Sequence, residues 1–492
     1  MSPERLSSGG VRGVRRVVAA MFPAESRAGR ALRGAFNAGA GLVGTVVAPW
    51  YFARDTLAFR RAWSAPGLGM GCNLQGRTIV MLVVSHLHID PRVRQEAQAL
   101  AADGYAIVVI WPELLGHVGQ PIDWGPGIAF ERLTPAAGRF AYRFPGFLGA
   151  AMLAAALKHN PFAFHGHDLT TALVALTAAR QTGAHAVCDF HEWFSEHVTW
   201  SNRTGSYVPL SVLQRQANKW LERFAFHQAS AVITVCRSIA RDMEHEYGDG
   251  TARIHVVRNI SAPVSGATTA YPSLRDQLGL TQSQLLVLYQ GGVGPSRALE
   301  PVIAALGQVP DCVLAIRGPS IEAYSAHYRS VAARAGVAPH QLVLLPAIPS
   351  ADVVAACHGA DVGLYTVADL CKSFRYALPN KVFEYMMAGL PVLVADYPEV
   401  RQLVVDNAVG LAFDPQDPVS IARSMRAMMD THLRTGMCER LPAVLAQLDA
   451  GQEWRKMVDI YQRLEQTRPG AAHAVPVGRE AMLGSLPTPV GP

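Results

Sequence analysis

The chain has 492 residues, half of them hydrophobic and 17% charged, which permits sizeable cores and excludes an intrinsically disordered protein. At ~150 residues per domain it is long enough for about three domains, or two large ones with tails. No short-period repeat removes it to the solenoids or propellers, and the formal charge of +6 is uneven: residues 1–77 hold 11 Lys/Arg against 3 Asp/Glu, so the rest is slightly acidic and nucleic acid is not an expected partner.

The 7 cysteines are scattered and form no C-x-x-C pair, which suits a reduced compartment and thiols used as small core residues. Residues 1–76 read as a basic leader. Within it, 34–53 is uncharged and long enough to cross a bilayer, but four Gly, one Pro and one Asn leave it weakly apolar between Arg33 and Arg54. Three readings stay open: a true membrane span, an interfacial patch in which residues 1–70 touch the inner leaflet of the cytoplasmic membrane, or a disordered extension.

From Arg77 short β-branched runs alternate with segments of helical period. TIVMLVV (78–84), YAIVVIW (105–111), AFHGHD (163–168), HAVCDFHE (185–192), AVITV (231–235) and IHVVRN (254–259) read as strands, and RVRQEAQALAADG (92–104) as a helix. This is the β-α-β pattern of a parallel sheet covered by helices, and it sets a first Rossmann-like domain at 77–262. A turn-rich linker, 263–283, precedes a second series: LLVLYQGG (285–292), CVLAIRG (312–318), LVLLPA (342–347), DVGLYTV (361–367), PVLVAD (391–396) and GLAFD (410–414). A second Rossmann-like domain at 284–450, a last helix at 451–467 and a disordered tail at 468–492 complete the expectation. Two doubly wound domains in tandem place a cleft beyond the carboxyl ends of their strands.

The first strand is followed by SHLHIDPRV (85–93) without G-x-G-x-x-G, so a dinucleotide oxidoreductase loses its support. His86, His88 and Asp90 have no further ligand nearby and read better as a loop lining the cleft floor than as a metal site. His165, His167 and Asp168 stand where a strand ends and a helix begins, where ligands meet free backbone N–H groups. His167 is expected to point into the cleft, the alternative being a histidine satisfied by a loop carbonyl. The pair His191 and Glu192 ends another strand and reads equally as catalytic or as packing around Trp193 and Phe194.

In the second domain YQGGVGPSRALEPVIAAL (289–306) is a strand, a glycine-rich turn and a helix. Gly291, Gly292 and Gly294 allow a ligand close to the backbone, and Arg297 stands ready for an anion. Pro379 and Asn380 open the next informative helix, with Lys381 in its first turn to meet a phosphate and Glu384 three residues on to accept from vicinal hydroxyls. The plain alternative for Lys381 and Glu384 is an exposed i,i+3 ion pair. A phosphate seat beside a diol seat describes a nucleotide.

These segments resemble the retaining glycosyltransferases of the GT-B fold, family 4 (group 1), over nearly all of 77–465. PNKVFEYMMAGLPVLVADYPEVRQLVVDNAVGLAFDPQDP (379–418) carries most of the resemblance, with DPRVRQEAQALAADGY (90–105), HGHDLTTALVA (165–175), FHEWFSE (190–196) and VITVCRSIARDM (232–243). The resemblance implies two Rossmann-like domains facing a cleft and a C-terminal helix crossing back, to which QEWRKMVDIYQRLE (452–465) is similar. It implies a nucleotide-diphosphate sugar on the second domain, with Gly291, Gly292, Gly294, Arg297, Asn380, Lys381 and Glu384 on the donor. It also implies His167 on the transferred sugar and an acceptor side supplied by the first domain, where His86, Arg92, Asp168, His191 and Glu192 are the candidates.

Catalysis is then expected from His167, Arg297 and Lys381, with retention of configuration and neither a metal nor a cofactor. The acceptor would be a glycan or a lipid-linked hydroxyl, in the cytoplasm or at the cytoplasmic membrane face. Two departures stand out: Tyr376 occupies the place of a family glutamate, and Gly292 that of a family arginine. They keep alive a non-catalytic nucleotide-sugar binder, beside an epimerase or phosphorylase on the same fold.

Overall fold

The structure, a computed structural model, describes residues 76–87, 90–112, 121–133, 145–201, 203–248, 254–260 and 271–467. The basic leader up to residue 75, His88, linker residues 261–270 and the tail 468–492 lie outside the described residues. The chain divides into two compact units. Of the first, the described part is the beginning of the helix Pro145–Ala156. The other, 66–134 with 152–492, carries two parallel sheets.

The first sheet is built from β1 (Thr78–Leu82), β2 (Ala106–Pro112), β3 (Ile128–Leu133), β4 (Ala163–His167) and β5 (His185–Phe190). After a hairpin, β6 (Val198–Ser201) and β7 (Ser206–Pro209), it continues with β8 (Ala231–Thr234) and β9 (Ile254–Val256). The strand order is β3-β2-β1-β4-β5-β8-β9 with every pair parallel. Strands β10 (Leu285–Gln290), β11 (Cys312–Arg317), β12 (Leu342–Leu345), β13 (Val362–Tyr365), β14 (Val392–Ala395) and β15 (Gly410–Phe413) form the second sheet, parallel in the order β12-β11-β10-β13-β14-β15. Every residue of β10 and β11 is buried, as a sheet covered on both faces requires, which explains their unbroken apolar runs. In each sheet the order reverses direction at the first strand, beside β4 or β13, and there the carboxyl ends open a crevice.

Five helices carry or brace residues of the candidate site: α1 (Pro91–Ala102), α2 (Asp168–Thr182), α3 (Arg237–Tyr247), α4 (Asn380–Met387) and α5 (Pro398–Val404). The start of α1 is local chemistry, since Asp90 caps Val93 N at 3.3 Å and Pro91 supplies the first helical φ. The last helix, α6 (Ala450–Glu465), leaves the second domain and packs on the first. Its buried stripe Trp454, Met457, Tyr461 and Leu464 follows the helical period, and each such side chain contributes about 1.5–3 kcal/mol by burial. Polar contacts pin it at both ends: Arg258 Nε donates to Glu453 at 2.9 Å, and Arg77 Nε and Tyr105 Oη donate to Glu465 at 3.0 and 2.9 Å.

Further contacts tie the sequence halves together. Ser238 N, at the start of α3, donates to Glu399 of α5 at 2.6 Å, where a carboxylate complements the helix dipole. Trp193 N donates to Ser373 Oγ at 3.3 Å, and Tyr376 Oη to Asp242 at 2.8 Å.

Two elements carry too weak a pattern to be read from sequence. Edge strand β3 shows only a partly buried face, broken by Glu131 and Arg132, and the β6–β7 hairpin has strands of four residues each with mixed polarity. No helix among the described residues is long and apolar enough to cross a membrane.

Candidate active site

At the carboxyl end of β10 the chain turns through Gly291 and Gly294, with φ of 139° and 145°, a backbone that side-chain-bearing residues rarely adopt. The turn is braced from below. Lys381 Nζ donates to Tyr289 Oη at 3.2 Å, and Tyr289 Oη donates to the Gly292 carbonyl at 2.7 Å. The same ammonium lies 4.5 Å from the Tyr289 ring centroid, within cation–π range. Burial, and then the charge of Arg297, push Lys381 down to about 7 from its ordinary value of 10.5, with Glu384 opposing only in part. Two cations beside a glycine turn, one of them partly discharged by burial and then by the other, are an arrangement that an anion relieves.

Glu384 lies half-buried one turn along α4, raised by burial and partly restrained by Lys381, and is thus not the fully exposed ion pair of the plain alternative. Asn380 begins α4, and its Oδ1 is buried without a hydrogen-bond partner. Gly318 touches the turn from β11: a Cβ there would stand 1.8 Å from the Gly291 carbonyl oxygen. Gly318→Ala is therefore expected to displace the turn, cost about 1–3 kcal/mol by overpacking, and weaken anion binding. Chemical denaturation and calorimetry with a nucleoside diphosphate measure the two effects.

The facing cluster is assembled by the first sheet. His165 and His167 alternate along β4 and share one face, their rings stacked at 4.3 Å and 17°. His165 Nδ1 pairs with Tyr461 Oη of α6 at 2.7 Å, and His167 Nδ1 with His191 Nε2 at 3.3 Å. The Nε2 atoms of both His165 and His167 are buried without a hydrogen-bond partner. Asp168 opens α2 at a φ of 60° and accepts from His191 N at 3.0 Å. A non-glycine residue held there stores of order 1–3 kcal/mol of strain, as residues at functional sites often do.

Arg92 needs a correction. Expected on the acceptor side, its guanidinium is only 2% exposed and turned inward, where it grips Asp189 at 2.9 and 3.0 Å, Glu96 at 2.8 Å and the Val257 carbonyl at 3.0 Å. The cause is charge balance: a buried carboxylate on β5 needs a buried cation. Burial works against Asp189 ionising, but Arg92 and then His191 hold it well below the usual carboxylate range. Glu96 takes the opposite course. Burial and then Asp189 raise it well above the usual carboxylate range, with Arg92 opposing. For His191 burial is overcome by Asp168 and then Asp189, which lift it to about 9.

Glu96, His165, His167 and Asp189 bring four ligand-type atoms within 4.8 Å of one another. Asp189 Oδ2 already accepts from Arg92 and His191, and His167 Nδ1 faces His191, whereas both Glu96 oxygens and the Nε2 atoms of the two histidines have no hydrogen-bond partner; the buried Arg92 cation already balances the Asp189 charge. They fit an internal ion network better than a cation site.

Of the remaining candidates, Glu192 pairs with His197 at 3.0 Å and feels the charge of Arg297, which joins the two clusters electrostatically. His86 is exposed in the loop after β1. Tyr376 turns to Asp242 of α3. A cavity of about 530 Å³ lined by Trp193, Arg241, Asp242, His245, Glu246 and Lys372 shares no residue with either cluster. Sequence reasoning passes over Asp189, Glu96 and Asp242. Asp189 has a signal: it stands two residues before His191 in DFHE, near the end of a strand whose preceding run, Ala186–Cys188, is apolar.

Both clusters fall within regions that match known families. A Glycosyltransferase Family 4 model matches residues 92–260, and a Glycosyl transferases group 1 model matches residues 286–431, together more than half of the chain. The chain belongs to the GT-B glycosyltransferases of family 4/group 1. A D-inositol 3-phosphate glycosyltransferase of Xylanimonas cellulosilytica is 25% identical to this glycosyltransferase over 347 residues, covering 62% of this chain and 79% of that one. Among solved structures, sucrose-phosphate synthase of Thermosynechococcus elongatus matches with a TM-score of 0.62 at 17% identity, covering 79% of this chain and 98% of the other. Anabaena HepE, solved in complex with UDP and glucose, matches with a TM-score of 0.55 at 18% identity over the same shares. At these identities the solved structures speak for the fold: a GT-B glycosyltransferase with two parallel-sheet domains and a helix that crosses back.

Proposed function

We propose that this glycosyltransferase takes a sugar from a nucleoside-diphosphate sugar and passes it to an acceptor hydroxyl with retention of configuration, through protein cations rather than a metal. The observation that carries the reading is the pair Arg297 and Lys381 against the glycine turn, with Lys381 held near the point of losing its proton until an anion arrives. The diphosphate would lie against the turn and the start of α4, with the ribose hydroxyls donating to Glu384. HepE, solved with UDP and glucose, supports a uridine nucleotide as the first donor to try.

As the anomeric bond breaks, negative charge grows on the leaving diphosphate. Arg297 and Lys381 stabilise that charge more in the transition state than in the ground state, which is the condition for faster chemistry. The departing phosphate takes the acceptor proton, and the Nε2 of His167 serves the transferred sugar. The acceptor meets the enzyme beside His191, Glu192 and Asp168. A glycan or lipid-linked hydroxyl, in the cytoplasm or at the cytoplasmic membrane face, fits this scheme.

One observation favours a second reading. With Tyr376 engaged by Asp242, that position offers no carboxylate to sugar hydroxyls, as in a protein that binds a nucleotide sugar without transferring it. A thermal-shift panel of nucleotide sugars, followed by product analysis with the best binder, separates the two. Glu384→Ala is expected to weaken donor binding about tenfold, the ~1.4 kcal/mol of one charged hydrogen bond. Unchanged donor affinity in this variant would remove the ribose assignment.

A further inference from the structure

His191 lies between two carboxylates and a second imidazole. Its Nε2 is 3.1 Å from Asp189 Oδ2 and 3.3 Å from His167 Nδ1, its Nδ1 is 3.7 Å from Asp168 Oδ2, and its backbone N–H is bound to Asp168. An imidazole facing acceptors on both sides keeps a proton on each nitrogen, so Nε2–H is shared between Asp189 and His167. At 3.3 Å from a donor, His167 Nδ1 can only accept. The ring proton of His167 is then on Nε2, the buried atom that has no hydrogen-bond partner.

We infer that His191 is a positioning residue that fixes His167 as a hydrogen-bond donor through Nε2, and that Asp189, clamped by Arg92, holds His191 in place. This role rests on the proposed function, in which His167 serves the transferred sugar. The ring plane is set separately, by the stack on His165 and the bond from His165 to Tyr461. Burial, followed by the neighbouring imidazoles His165 and His191, keeps His167 neutral, so that its tautomer rather than its charge is the variable. A neutral imidazole with its proton on Nδ1 would offer the substrate only an acceptor. The relay Arg92, Asp189, His191, His167 removes that state, much as carboxylate partners set the tautomer of metal-bound histidines.

The test combines long-range 1H–15N spectra of the labelled full chain with kinetics on the best nucleotide sugar. In the native protein His167 is expected to show a protonated Nε2 and a bare Nδ1. His191→Ala is expected to populate both tautomers and to lower kcat about 10- to 100-fold, with donor KM within about threefold. His191→Gln, whose amide N–H can occupy the Nε2 position, is expected to restore the native tautomer and bring kcat within about fivefold of the native value. A bare Nε2 on His167 in the native protein would overturn the inference, as would Ala and Gln variants with equal losses and an unaltered tautomer. A protein that transfers no sugar yet shows this tautomer response would support the relay and count against the proposed function.

Discussion

Lys381→Ala is expected to slow sugar transfer by about 10²- to 10³-fold, the usual loss for one preorganised charge at a leaving group, while weakening donor binding by less than tenfold. In the proposed reaction the asymmetry arises because Arg297 and the glycine turn would still hold the ground-state diphosphate, whereas the charge that develops during bond cleavage would lose the Lys381 ammonium. The native enzyme should also bind donor in a pH-dependent way. With Lys381 at about 7 in the empty site, the ammonium is present below that pH and is lost above it. A bound diphosphate favours the charged form and raises the pKa, so binding takes up a proton. Affinity is therefore flat below about pH 6 and declines above about 7, by at most about tenfold per pH unit, until the pKa of the complex is reached. Calorimetry between about pH 6 and 9 reads this directly, and the slope should disappear in Lys381→Ala. A native affinity independent of pH across that range would contradict the anion seat.

Arg92→Met is expected to cost about 3–5 kcal/mol of stability, because it strips Asp189 and Glu96 of their buried cation without making either apolar. Its side chain is 3% exposed, so water cannot take over the lost contacts. Removing both charges should hurt less: Arg92→Met with Asp189→Leu is expected to recover part of the loss, a coupling that a double-mutant cycle in denaturant quantifies. Activity behaves differently, since the double variant also frees His191 and is expected to remain slow even where it is stable. Full recovery of turnover together with stability would show that Asp189 has no part beyond packing.

Much of this architecture can be read along the chain. The runs at 285–290 and 312–317 announce central parallel strands, because a strand covered on both faces has no polar side to show. Asp90 and Pro91 mark the entry to α1, and Pro379 that to α4. Lys381, Glu384 and the glycine turn are also visible, since each lies within a few residues of a strand end or helix start. Arg92 misleads because it follows the cleft loop and looks free to face a ligand. The charge that claims it, Asp189, is nearly a hundred residues away. Tyr376 is legible only as an unusual residue, and its partner Asp242 belongs to the other sheet's helices.

By itself the sequence determined the alternation of strand and helix and the two parallel-sheet halves, and it marked the residues proposed as local seats for an anion and a diol. These depend on side-chain period, glycine and proline, all interactions of short range. Tertiary structure alone decided which ionisable groups meet. Arg92, Glu96, His165, Asp189 and Tyr461 come from α1, β4, β5 and α6, and their protonation states exist only once water has been driven from between them. Burial makes each charge depend on its neighbours, and neighbours in space are what a linear pattern does not specify.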